Sequence, residues 1–194
     1  EAGDPPKDRL FWLALPLQIS IESGRVERLR IEAAEFTNLH IAGGIGHGHL
    51  EVETLAAQIA NADVQISGEL TGPSPGYLEA SGSWTLPAAN LRGVGRFSGN
   101  IDKLAVTHVL NMPDTVNFDG HIYDLFAAPT LAGEAEWSAV RLPGAAVLYS
   151  NSGRVAVTSD FRKARLDGDS TLLLEGWPEA PLRVEAVADI RGVS

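Results

Sequence analysis

Apolar and polar residues alternate strictly along about eleven short segments of the chain, and the alternation recurs from one segment to the next. Leu17, Ile19 and Ile21 interleave with Gln18, Ser20 and Glu22. Leu29 and Ile31 interleave with Arg28, Arg30 and Glu32, Leu39 and Ile41 flank His40, and Leu50 and Val52 flank Glu51. Val64, Ile66 and Leu70 stand against Gln65, Ser67 and Glu69, and Leu78, Ala80, Trp84 and Leu86 against Glu79, Ser81, Ser83 and Thr85. The rule continues through Val116, Phe118 and Ile122, through Leu131, Ala135 and Trp137, and through Val155 and Val157. It ends in Leu166, Leu172 and Leu174 and in Leu182, Val184, Ala186, Ala188 and Ile190. A period of two marks strands with one face apolar and the other in water. The pattern predicts an all-β chain of roughly 12 to 15 antiparallel strands.

Turn signals separate these runs: Ser23-Gly24, Gly43-Gly44, residues 72–76, residues 111–114, Pro143-Gly144, Asn151-Ser152-Gly153 and Trp177-Pro178. Residues 72–76 and 111–114 are candidate repeat boundaries. Two segments break the alternation and are expected as short helices: residues 101–111, with Asp102 as N-cap, and, more weakly, residues 53–60, where Leu55 and Ile59 stand four apart. Neither is long enough to cover the apolar face. A sheet of this many strands must curl, split or close. Gly68, Gly82, Gly120, Gly133 and Gly168 recur at inward positions, where glycine marks a bend or a close approach, and they are expected to let the sheet curve around its apolar face.

Composition narrows the function. The 44% hydrophobic content of the 194 residues excludes disorder. The formal charge of −10 excludes a nucleic-acid partner, since phosphate binding needs clustered cations. The basic run Arg162, Lys163, Arg165 reads as a solvated strand edge. With no cysteine there is neither a disulfide framework nor thiol chemistry. No apolar stretch reaches the roughly 18 to 20 residues of a membrane-spanning helix. The chain starts at Glu1 without an initiator Met and reads as a fragment of a longer protein.

No catalytic constellation emerges, and no enzyme activity, cofactor or metal is expected. The run Gly43–His49 is glycine-rich, but it leads into a strand pattern rather than the helix of a phosphate loop, and His47 and His49 are two ligands where zinc needs three or four. His40, His108 and His121 read as polar-face or loop residues, and Asp167 and Asp169 flank Gly168 on the polar parity. Trp84 and Trp137 fall on the apolar parity, as core or groove lining. A β-helix would bring asparagine ladders and an outer-membrane barrel would bring aromatic girdles; neither is evident among the 13 aromatic residues.

One set of motifs carries a family resemblance: Gly120-His121-Ile122, the run Pro129–Trp137, Leu142-Pro143 and the run Ser150–Val155, together with the opening Leu15–Ile21 and Arg25–Leu29. This resembles the translocation and assembly module (TamB) family within the AsmA-like bridge proteins, over most of the 194 residues. The resemblance implies a repeating β-groove: an elongated, curved, predominantly antiparallel sheet folded into an open U with a hydrophobic interior. It implies a periplasmic bridge that conducts phospholipid or other acyl-chain lipid between the two membranes of a diderm bacterium. It further implies, for a full-length protein only, an inner-membrane anchor and an outer-membrane barrel partner of the TamA type. The apolar parity, from Leu17 and Ile19 through Ile190, is then the expected groove lining, with Gly68, Ala80, Gly82, Gly120, Gly133, Ala135, Ala186 and Ala188 leaving width for tails. A periplasmic scaffold that holds outer-membrane strands by β-augmentation is the alternative.

Overall fold

The structure, a computed structural model, describes residues 18–31, 34–59, 61–72, 76–112, 114–142, 148–174 and 176–189. They form one antiparallel sheet of 14 strands: β1 (Ile19–Ile31), β2 (Ala34–Gly46), β3 (His49–Ile59), β4 (Ala62–Thr71), β5 (Tyr77–Leu86), β6 (Leu91–Asn100), β7 (Lys103–Met112), β8 (Val116–Tyr123), β9 (Thr130–Trp137), β10 (Val140–Leu142), β11 (Leu148–Ser150), β12 (Gly153–Ser159), β13 (Lys163–Leu174) and β14 (Ala180–Asp189). A single 3-10 turn at Pro87–Ala89 is the one helical element among the described residues. Each strand from β1 to β9 pairs with the next; β12 follows β9, then β13, and β14 pairs with β13. The short pair β10–β11 extends the ladder beside Leu173 and Leu174 of β13. β1 and β14 stand at the two ends without pairing to each other, so the sheet is open rather than a barrel.

Directly opposed residues of an antiparallel pair project from the same face, so a face can be followed from strand to strand. One row runs Leu50, Leu70, Leu78, Gly99, Leu104, Ile122, Leu131. Another, six residues along the strands, runs Val64, Trp84, Gly93, Leu110, Val116, Trp137, Gly153, Ser170, Leu182. Bulges keep the first strands in phase. Register shifts lie between Ile21 and Gly24, between Thr37 and His40, between Ala42 and Gly43, and between Val52 and Leu55. The shift in β3 spends two residues, Glu53 and Thr54, and so returns Leu55, Ala57 and Ile59 to the face of Leu50 and Val52.

The sheet curves around its apolar face. Every pair of elements in extensive contact is a hydrogen-bonded neighbour, so no second layer covers that face among the described residues. Even so, Ala80 and Gly82 of β5 are less exposed than Glu79, Ser81 and Ser83 between them, although they are the smaller residues. Close approach of neighbouring strands on one side explains this. A Cβ on Gly68 would lie 2.7 Å from the Ala80 Cα, one on Gly120 2.9 Å from the Gly133 Cα, and one on Gly168 2.6 Å from the Val155 Cα. Gly68, Gly120, Gly133 and Gly168 thus occupy seams where only glycine fits, whereas at Gly82 a Cβ would lie 3.2 Å from the Gln65 carbonyl oxygen. Two buried apolar clusters form, one at Leu104, Val106 and Ile122, packed by Leu78, Phe97, Phe118, Leu125 and Leu131, and one at Leu70 with Ile101.

Several expectations are corrected. Residues 101–111 are not a helix: Ile101 and Asp102 form a turn and Lys103–Met112 is β7. The turn is held by Asn100, whose Oδ1 accepts from the Asp102 and Lys103 amides, so Asn100 does the capping expected of Asp102. Residues 53–59 are strand: Leu55 and Ile59 stand four apart as alternate inward positions with Ala57 between them, and the bulge at Glu53-Thr54 sets Leu55 three residues from Val52 on the same face. Ser23-Gly24 and Gly43-Gly44 lie within β1 and β2; the turn after β2 is His47-Gly48, both with positive φ, 52° and 78°. Lys163 and Arg165 lie on β13, an interior strand flanked by β12 and β14, not on an edge. The β4–β5 and β7–β8 pairings join the strands on either side of residues 72–76 and 111–114, which leaves the expected repeat boundaries open.

Candidate functional site, an uncharged trough

Following the pairing across all strands gathers the predicted lining on one face. Ile19, Ile21, Leu29, Leu39, Ile41, Leu50 and Val52 stand there with Val64, Ile66, Leu70, Leu78, Trp84 and Leu86. Val116, Phe118, Ile122, Leu131, Trp137, Val155, Val157, Leu166, Leu172, Leu182 and Val184 continue it, and Leu174, two residues beyond Leu172, extends it. Ile31 ends β1 opposite Ala34, and Leu17 and Ile190 lie outside the described residues. Outside the bulges, no described residue on this face carries a charge; its polar side chains are His108, Ser150, Ser159 and Ser170. The opposite face holds the charges, including cross-strand pairs of Arg154 with Glu134 and Glu136 and of Arg183 with Asp167, and the pair of Arg183 with Glu185 along β14. Such exposed pairs add little stability; their effect is to keep that face in water.

Two aromatic groups lie flat on glycines in the trough. Trp84 of β5 and His108 of β7 are nearly coplanar, 11° apart, and the indole Nε1 donates to His108 Nε2 at 2.9 Å. Gly93 of β6 lies beneath: a Cβ there would come within 2.6 Å of His108 Nε2 and 2.8 Å of Trp84 Nε1. Trp137 covers Gly153 in the same way. Its Nε1 donates to Ser150 Oγ at 2.6 Å, Ser150 Oγ is 2.8 Å from Ser170 Oγ, and both hydroxyls reach the Ser152 carbonyl. That second group is closed on itself and serves packing.

His108 was expected on the polar face and is instead inside the trough, opposite Gly95 and Phe118. His40 and His121 do lie on the polar side, His40 beside Ser23 at 3.1 Å. Burial holds the His108 imidazole below its ordinary pKa, because the apolar face solvates the cation poorly. The unfolded chain therefore takes up this proton more readily than the folded one. The contribution of neutral His108 is complete above about pH 6.5 and is lost as the pH falls below it. Urea midpoints of the wild type are expected to drop between pH 7 and pH 5, and His108→Phe to remove part of that drop.

The polar face has shallow concavities too, one of about 410 Å³ between Ser67, Ser81, Ser83, Arg96 and Thr107, as expected of a twisted, saddle-shaped sheet. Among the described residues no group of three metal-ligating side chains occurs, and no helix is long and apolar enough to cross a membrane.

Fold and face together define a class: a one-layer, open antiparallel sheet with a charged outer surface and an uncharged inner one. No protein-family model matches the chain, no curated protein matches it, and no solved structure matches its fold.

Proposed function

We propose that the trough carries the acyl chains of phospholipids or similar lipids, and that the chain is a segment of a periplasmic bridge between the two membranes of a diderm bacterium. The observation that supports this most is that, among the described residues and outside the bulges, the face carries no charge and no other layer covers it. Leaving such a surface in water is unfavourable at about 25 cal/mol per Å². An acyl chain is the matching occupant: at about 0.8 kcal/mol per methylene, a sixteen-carbon tail gains roughly 12 kcal/mol on leaving water. The resemblance to the TamB family points the same way and supplies the periplasmic setting. No catalytic role is part of this reading.

A second reading rests on the outer edges of β1 and β14, each unpaired among the described residues. An extended outer-membrane segment adding to such an edge by backbone hydrogen bonds would make the protein a scaffold for membrane-protein assembly. The two readings differ in what is bound. Mass spectrometry of organic extracts from the detergent-free purified chain is expected to find phospholipid in stoichiometric amounts; peptide without lipid would favour the scaffold.

A further inference from the structure

The trough is not the same on its two sides. The row through Leu50, Leu70, Leu78, Leu104, Ile122 and Leu131 is aliphatic throughout. Apart from Ser159, which pairs with Leu131 at the end of that row, the polar side chains of the face gather toward the other side, at Trp84, His108, Trp137, Ser150 and Ser170. Along β5, Leu78 and Trp84 are six residues apart, about 20 Å at strand rise. That span accommodates one acyl layer, about 15 Å or half of the roughly 30 Å hydrocarbon core of a bilayer, with a few Å to spare.

One donor on the polar side is open. An indole N–H only donates, so His108 Nε2 must accept, which places the imidazole proton on Nδ1. The ring sits with Cδ2 over Gly95 and with Nε2 and Cε1 over Gly93. Nδ1 has no hydrogen-bond partner among the described residues, and none of their buried side-chain nitrogens or oxygens is left unpaired, so this N–H is accessible to solvent. No cation accompanies it on the face, so the acceptor that suits it is an uncharged oxygen rather than a phosphate.

Resting on the lipid reading above, we propose that His108 Nδ1–H, fixed by Trp84 over the Gly93 backbone, is a hydrogen-bond donor to the ester carbonyl at the root of an acyl chain. The tail then runs across the strands' length toward Leu78 and Leu104, while the charged headgroup stays outside the rim in water. His108 is the binding residue; Trp84 and Gly93 position it by fixing the tautomer and the ring plane. The trough therefore prefers ester-linked lipids and holds them with one polarity.

The test compares two probes of equal chain length and headgroup, dipalmitoyl phosphatidylglycerol and its dialkyl ether analogue, in binding to the full chain. One hydrogen bond is worth about 0.5–1.5 kcal/mol, so the ester is expected to bind roughly three- to tenfold tighter. His108→Phe, which keeps an aromatic ring over Gly93, is expected to abolish the preference, so that ester and ether bind the variant equally. Equal affinity of the wild type for the two probes overturns the assignment whether or not the variant folds, and so does a preference that survives in His108→Phe. Failure of the wild type to bind either probe instead overturns the lipid reading beneath it.

Discussion

Gly168→Ala is expected to destabilise the protein by about 3 kcal/mol, at the upper end of overpacking effects. Gly168 sits on β13 between Val155 of β12 and Val184 of β14. A methyl group there would collide with the Arg154 carbonyl and lie 2.6 Å from the Val155 Cα. Both are backbone atoms, so no rotamer change relieves the contact, and the β12–β13 ladder must open. Gly44→Ala on β2 is the control: its nearest contact is the Ile19 carbonyl at 3.4 Å. There the loss of unfolded-state entropy is expected to leave stability unchanged or slightly raised. Denaturation midpoints in urea measure both. Equal responses at the two sites would mean that the seam is looser than its geometry indicates and that glycine does not set the curvature.

The second large effect concerns binding. Ile66→Asp places a carboxylate at mid-strand in β4, between Leu55 and Gly82. Ile66 is 37% exposed, so the charge remains hydrated in the empty protein and the sheet is expected to fold. An acyl chain crossing that point must either strip water from the carboxylate or leave a gap beside it. Desolvating an unpaired charge costs several kcal/mol, so lipid recovered with the variant is expected to fall at least tenfold, and Leu174→Asp should act alike at the other end. Ser83→Asp, on the polar face one residue from Trp84, is expected to change nothing.

The sheet was legible in the sequence because one rule, alternation, sets both strand and face. Where it misled, the cause was local. The bulge at Glu53-Thr54 inserted residues into the count, so that Val52 and Leu55 stand three apart and resemble a helix turn while sharing a sheet face. In β7 an inward histidine interrupts Leu104, Val106 and Leu110, and Val109 faces outward near Val94, which blurred the parity. No signal in the segment itself showed that His108 would be inward. Its partner, Trp84, is 24 residues away and comes beside it only when β5, β6 and β7 pair. The turn at His47-Gly48 was equally hidden, since Gly43-Gly44 offered a stronger local signal and was absorbed as irregular strand. That no second layer covers the trough among the described residues is a property of the whole sheet, and alternation alone does not separate it from a sandwich.

The lipid path can be mapped by placing photocrosslinking residues one at a time at Ile66 and Leu172 in the trough and at Gln65 and Thr158 on the polar face, in cells of a diderm bacterium. The account predicts phospholipid adducts at the two trough positions and none at the other two. Adducts to protein alone at Ile66 and Leu172, or lipid captured equally from both faces, would contradict it.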